Sequence, residues 1–229
     1  MAEHNAQYNV AAPNSLPVRI AGYQRRRMFD AFLDFARAAP EDTILDVGAT
    51  SDRSYSHSNY LAAWYEPKHR ITAAGIDDAG FLEQLYPGLR FVPADGRKLP
   101  FPDGAFDHVH SSAVVEHVGD RANQAMFLSE LWRVARRSVF VTTPNRGFPV
   151  EFHTVLPLVH WLPPRLFRAL LRKTGRGFFA DENNLNLLTA GGLRQLAATA
   201  GISGAEVRSV SLLGWPSNLL LVARKGIDG

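Results

Sequence analysis

At 229 residues, with 46% hydrophobic and 21% charged side chains, the chain has the composition of a globular protein with a substantial core. It has no cysteine, which excludes disulfides and thiolate metal sites, and its formal charge of +3, from 25 basic and 22 acidic residues, is too small to argue for a nucleic-acid partner. The first residues form no basic-then-apolar leader and no apolar run approaches the ~20 residues of a membrane span, so a soluble cytoplasmic protein is expected.

Residues 1–18 are small and polar with Pro13 and Pro17, and read as a flexible arm; residues 19–229 read as a single domain. Ile20, Tyr23, Met28, Phe32, Phe35 and Ala36 recur at helical spacing around Arg25, Arg26 and Arg27, which form either a solvated face or a contact for an anionic ligand. The β-branched run Thr43–Val47 then ends in a turn, Gly48-Ala49-Thr50-Ser51-Asp52, as a buried parallel strand would. A helix over 58–66, a strand over 71–77, a helix over 80–86 and strands over 89–92 and 106–110 follow. Next come a helix over 122–135, with Met126, Phe127, Leu131, Trp132 and Val134 on its buried side, and a strand over 138–142.

This alternation predicts an α/β fold: a doubly wound, mostly parallel seven-stranded sheet with helices on both faces. Its last two strands, 205–213 and 217–223, are too close for a crossover and must form an antiparallel hairpin at the C-terminal edge, joined by Gly214-Trp215-Pro216. Between sheet and hairpin lies an insertion over 147–180, rich in Pro, Trp, Phe and Leu. It sets Arg165, Arg168 and Arg172 opposite Leu166, Phe167, Leu170 and Leu171 on an amphipathic helix, and reads as a lid.

In an open α/β sheet, ligands bind beyond the carboxyl ends of the strands, which places one over the turn after Val47. Four segments in order, I-L-D-V-G at 44–48, G-I-D at 75–77, A-D-G-R-K-L-P-F-P-D-G-A-F-D at 94–107 and S-S-A-V-V-E-H-V at 111–118, resemble the class I, Rossmann-like S-adenosylmethionine-dependent methyltransferases, in particular the methyltransferase type 11 group. The resemblance implies S-adenosylmethionine as cofactor. It implies that Asp77, with Asp78 beside it, meets the ribose, and that Asp95 meets the adenine amino group while Gly96 lets the ring approach. Asp46, Gly48, Ala49 and Thr50 would surround the methionine part, with backbone groups of Ser111 and Ser112 beside them. Asp103 reads as turn chemistry in Pro-Asp-Gly.

The sequence departs from the family where Thr50 and Asp52 stand in place of further small residues, and Asp77 lies well beyond the ~20-residue spacing of a dinucleotide fingerprint. Methyl transfer needs an aligned nucleophile, with a base only where the acceptor must lose a proton. The candidates are Glu116 and His117, placed after the fourth strand and read as mainly structural or cofactor-side, and His153, beyond the fifth strand and on the acceptor side; Glu151 is a further candidate. His108 and His110 share a strand face without a third ligand at recognisable spacing, so no metal site is expected.

The expected acceptor is a small, hydrophobic or lipid-like molecule, with possible peripheral membrane contact through the lid and no nucleic-acid partner. Two rivals remain: a non-catalytic relative used for binding or regulation, motivated by the altered turn, and a nucleic-acid binder using the arginine clusters.

Overall fold

The structure, a computed structural model, describes residues 15–53, 55 and 57–226. The first helix, α1 (Leu16–Ala36), starts inside the stretch assigned to the arm, with Ser15 at its N-cap and Pro17 in its first turn, where a missing N–H costs nothing. The rest of that arm, residues 1–14, lies outside the described residues. The buried face of α1 is Met28, Phe29, Phe32, Phe35 and Ala36, whereas Tyr23, assigned to it by spacing, is 59% exposed.

Five parallel strands follow: β1 (Ile44–Val47), β2 (Ile71–Gly75), β3 (Arg90–Pro93), β4 (Phe106–Ser112) and β5 (Ala135–Pro144). Helices α2 (Tyr60–Trp64), α3 (Phe81–Leu85) and α4 (Arg121–Val134) connect them. The lid carries α5 (Pro164–Lys173), and α6 (Ala190–Thr199) leads to β6 (Glu206–Leu212) and β7 (Trp215–Arg224). The sheet order is β3-β2-β1-β4-β5-β7-β6, with β7 antiparallel to both neighbours. The hairpin is tighter than expected. Leu212 pairs with Trp215, so only Leu213 and Gly214 turn, both at positive φ (51° and 81°), while Trp215 and Pro216 belong to β7.

Alternation along the strands splits the core in two. Leu45, Val47, Val139, Val141, Leu219 and Leu221 face α4 and α6, while Ile44, Phe140, Leu220 and Val222 face α1, α2 and α3. Helix α4 buries Phe127, Leu128, Leu131 and Val134; Met126, expected inside, is 53% exposed, and Trp132 is only partly buried.

The inserted segment has a small core of its own. Phe167 and Leu171 of α5 pack with Phe179, Ala180, Leu185 and Leu187, so the packed unit runs past residue 180, while Leu166 is 58% exposed rather than inward. The chain leaves and rejoins the sheet side by side, where Asn145 bridges Leu188.

The switch in strand order falls between β1 and β4, so the connections leaving their carboxyl ends diverge and open a crevice there. The histidines of β4 lie under α1, and both are hydrogen-bonded. His108 contacts Ser138 Oγ (2.8 Å) and Asp42 (3.2 Å), and His110 contacts Asp46 (2.7 Å) and Tyr60 Oη (2.9 Å).

Candidate cofactor and acceptor site

A cavity of about 440 Å³ opens at the switch point, within the range of small-molecule sites. Gly48 forms its floor at φ 113°, and a Cβ there would stand 2.1 Å from Val114 Cγ2, so no other residue fits. The backbone N–H groups of Gly48 and Ala49 both donate to Ala74 O (2.8 and 3.0 Å), which folds the turn back over β2. There it leaves no room for a side chain at Gly75, whose Cβ would lie 2.3 Å from Ala49 O.

Thr50, the departure in this turn, does not fill the cavity. Asn59 clamps its backbone from both sides, Oδ1 accepting from the Thr50 N–H (2.9 Å) and Nδ2 donating to the Thr50 carbonyl (3.0 Å). The Thr50 hydroxyl accepts from the Asp52 N–H (3.1 Å), and Ser58 Oγ donates to the Asp52 carboxylate (2.7 Å). The polar residues between β1 and α2 thus brace the turn in place of glycines.

Of the residues singled out for cofactor binding, Gly48, Ala49, Thr50, Asp77, Asp95, Gly96 and Ser112 line the cavity, and Asp46, Asp78 and Ser111 do not. Asp46 is turned under the sheet to His110. Asp78 is an exposed turn acid accepting from the Gly80 N–H (3.1 Å). Ser111 is fully buried, its hydroxyl donating to Val47 O (2.7 Å) and locking β4 to β1. Gly96 is required mainly by packing, because a Cβ there would meet Phe127 Cε2 at 2.5 Å. Asp95 is held by Arg97, whose Nη2 donates at 2.7 Å, and this hydrogen-bonded guanidinium keeps the carboxyl below its usual range.

Two lining residues had no strong sequence signal, and a third, Arg25, comes from the triple arginine read as either a solvated face or an anion contact. Ile76 is 72% exposed beside Asp77. Phe127 reaches the cavity from α4. Arg25 reaches it from α1, partly desolvated and within electrostatic range of Asp52, Tyr55 and Tyr60. Its neighbours in the triple arginine do other work: Arg26 pairs with Asp30 (3.3 Å) and Arg27 donates to Ser211 O.

At the other end of the cavity the lid meets the turn after β4. His117 and His153 both line the cavity, their Nε2 atoms 3.0 Å apart, with Glu116 buried behind them. His117 Nδ1 faces Asn184 O (2.7 Å) and His153 Nδ1 faces Glu151 Oε1 (2.7 Å). Glu151 also accepts from the N–H groups of His153 (2.9 Å) and Thr154 (2.6 Å).

Burial, reinforced by the charge of His153, pulls the His117 imidazole down to about 3. For Glu151 burial works upward, but the charge and hydrogen bonds of His153 outweigh it and hold the carboxyl at about 2. Burial would lower His153, yet the Glu151 carboxylate raises it above its ordinary value. Burial also pushes Glu116 up, only partly offset by His153. Tertiary structure thus joins Glu116 and His117 to His153.

A family model described as a methyltransferase domain matches residues 45–142. An uncharacterized methyltransferase of Mycobacterium sp. (strain JLS) is 33% identical over 125 residues, 53% of this chain and 40% of the relative. A probable chloroplastic tocopherol O-methyltransferase of Oryza sativa subsp. japonica is 34% identical over 146 residues, 57% of this chain and 38% of the relative. The matched stretches thus span about two fifths of these relatives' length. Among solved structures, magnesium protoporphyrin IX methyltransferase from Synechocystis PCC 6803 superposes with a TM-score of 0.58 at 19% identity, covering 96% of this chain and 91% of that one, which is a likeness of fold. Residues 45–142 thus resemble a methyltransferase domain, and the chain as a whole shares the fold of a solved methyltransferase.

Proposed function

We propose that the protein methylates a small hydrophobic or lipid-like acceptor, with S-adenosylmethionine as methyl donor. The observation that carries this reading is one cavity with acids at the ends of β2 and β3 on one side and a lid-borne histidine on the other.

The residues present fit the cofactor. Asp77, at the end of β2, would take the ribose hydroxyls, the exposed Ile76 beside it offers an apolar platform for a purine, and Asp95 is the acid for its amino group. Arg25 is the cation for a carboxylate, and the braced turn at Gly48 brings backbone close to the methionine part. When bound, the cofactor supplies a methyl carbon already activated by its sulfonium. The chain's own work is to align an acceptor, exclude water and handle one proton. His117, neutral at physiological pH, would accept that proton, and His153, fixed by Glu151, would orient the acceptor.

Two of the similar proteins are described by hydrophobic acceptors, tocopherol and magnesium protoporphyrin IX, which supports this acceptor class. We further propose that the lid's outer edge rests on an anionic lipid surface. Trp161 and Trp215 stack there at 6.5 Å, each about half exposed, within two positions of the exposed Leu162 and Leu213, and α5 adds Arg165, Arg172 and Lys173.

Calorimetric titration with S-adenosylmethionine and S-adenosylhomocysteine tests the site. Micromolar binding weakened at least tenfold in Asp77→Ala and Asp95→Ala is expected. Absence of binding to either ligand would overturn the enzyme reading in favour of a non-catalytic relative, and binding without turnover across lipophilic acceptors would do the same.

A further inference from the structure

With both rings neutral and Glu116 ionised, the cluster at the lid end of the cavity presents three lone pairs and no hydrogen to share among them. His117 Nδ1 faces a backbone carbonyl and His153 Nδ1 faces a carboxylate, acceptors only, so in each neutral ring Nδ1 carries the hydrogen and Nε2 is bare. Those bare nitrogens stand 3.0 Å apart. The third group, Glu116 Oε1, is fully buried, has no hydrogen-bond partner and lies 3.9 Å from His117 Nε2, while its other oxygen accepts from Thr143 Oγ1 (2.9 Å). One proton can bridge the two nitrogens, but it leaves Glu116 Oε1 unsatisfied. A single cation at the centre serves all three.

We propose that Glu116, His117 and His153 form a binding site for a divalent transition-metal ion. Their three ligand atoms lie within 4.8 Å of one another, close enough for small side-chain rotations to bring all three to the ~2.0–2.2 Å of zinc bonds to nitrogen and oxygen. Two imidazoles and one carboxylate suit zinc, iron(II), cobalt or nickel rather than calcium or magnesium. Each ligand is oriented by an outer partner, Asn184 O, Glu151 or Thr143, as metal-binding histidines and carboxylates are. Three protein ligands leave coordination positions open toward the cavity that both histidines line, the arrangement of a catalytic rather than a structural ion.

The use of the ion rests on the methyl-transfer reading, although its binding does not. At that position it would bind an acceptor hydroxyl, lower its pKa and release the proton to solvent in place of its transfer to His117, so the acceptor class becomes a hydrophobic alcohol or phenol.

The test uses tag-free, chelator-stripped full-length protein titrated with Co²⁺. Expected are one equivalent bound per chain, a visible d–d band, and two hyperfine-shifted exchangeable imidazole protons, one from each Nδ1–H. The dissociation constant should rise at least tenfold in Glu116→Gln and further in His153→Gln, and be unchanged in the exposed His69→Ala. No stoichiometric Co²⁺ in the wild type, or binding without the two imidazole protons, would overturn the site and leave a proton-sharing histidine pair. S-Adenosylhomocysteine calorimetry on the same samples separates the two readings: normal affinity without metal sinks only the ion, and metal binding without affinity sinks only the cofactor.

Discussion

Two kinds of glycine occur at single positions in this protein, and substitutions tell them apart. Gly48 combines φ 113° with a Cβ position 2.1 Å from Val114, whereas Gly201 has φ 73° and nothing within 4 Å. Gly48→Ala should cost about 2–4 kcal/mol in denaturant unfolding, because strain adds to a clash in the core, and should weaken S-adenosylhomocysteine binding at least tenfold. Gly201→Ala should cost only the ~1–2 kcal/mol of the left-handed conformation and leave binding intact. Equal effects of the two would show that the fit around Gly48 is not what demands glycine.

At the scale of elements, the Leu99-Pro100-Phe101 turn is fastened to α4 by one arginine. Arg133 donates to Phe101 O (2.8 Å), Leu99 O (3.1 Å) and Asp103 (2.8 Å), and is held by Glu130, which also accepts from the Leu99 N–H (2.8 Å). Asp103, read from sequence as turn chemistry, is therefore also an ion-pair partner, but its side chain is 82% exposed and the pair contributes little. The bonds to the turn carbonyls and Glu130 dominate, and Arg133→Ala should cost about 2–3 kcal/mol.

The hydrogen bond from Arg133 holds the Glu130 carboxyl below its ordinary 4.5. A depressed carboxyl stabilises the fold above the unfolded-state pKa, and that contribution is lost as pH falls through the folded value. Glu130→Gln should therefore flatten the fall of stability below about pH 4.5, measured by urea unfolding across pH. An unchanged slope would assign the acid sensitivity elsewhere.

Across the whole molecule, the lid links the sheet to its surroundings: Phe167 and Leu171 anchor it, His153 enters the cavity, and Trp161 and Trp215 face outward. Among the described residues no helix is long and apolar enough to cross a membrane, so contact with lipid would be peripheral. Co-sedimentation with vesicles containing phosphatidylserine should exceed that with phosphatidylcholine alone, fall with salt, and drop in Trp161→Ala and Trp215→Ala and in Arg165→Glu. Equal recovery with both vesicles, or no recovery, would remove the membrane contact.

The periodicities of the chain determined the order and kind of elements, the antiparallel edge and the strand-end acids, because these depend on neighbours in sequence. Residues 71–77 announce a buried strand ending in Asp77 whatever lies elsewhere. Side-chain direction at the strand ends was not legible. Asp46 and Gly48 stand two apart, yet one turns to His110 and the other floors the cavity, a choice made by α1 and α2 closing one face of β1. Nor could spacing show how Thr50 is held, since Asn59 braces it from the next helix's N-terminus. The convergence of Glu116, His117 and His153 was invisible for the same reason. Glu116 and His117 lie more than thirty positions before His153, and only the lid, folded on its own small core and docked at Asn184 and Glu151, brings three ligand atoms within 4.8 Å. Local pattern sets the scaffold, but convergence of distant side chains on one point is a property of packing, and packing alone decided it.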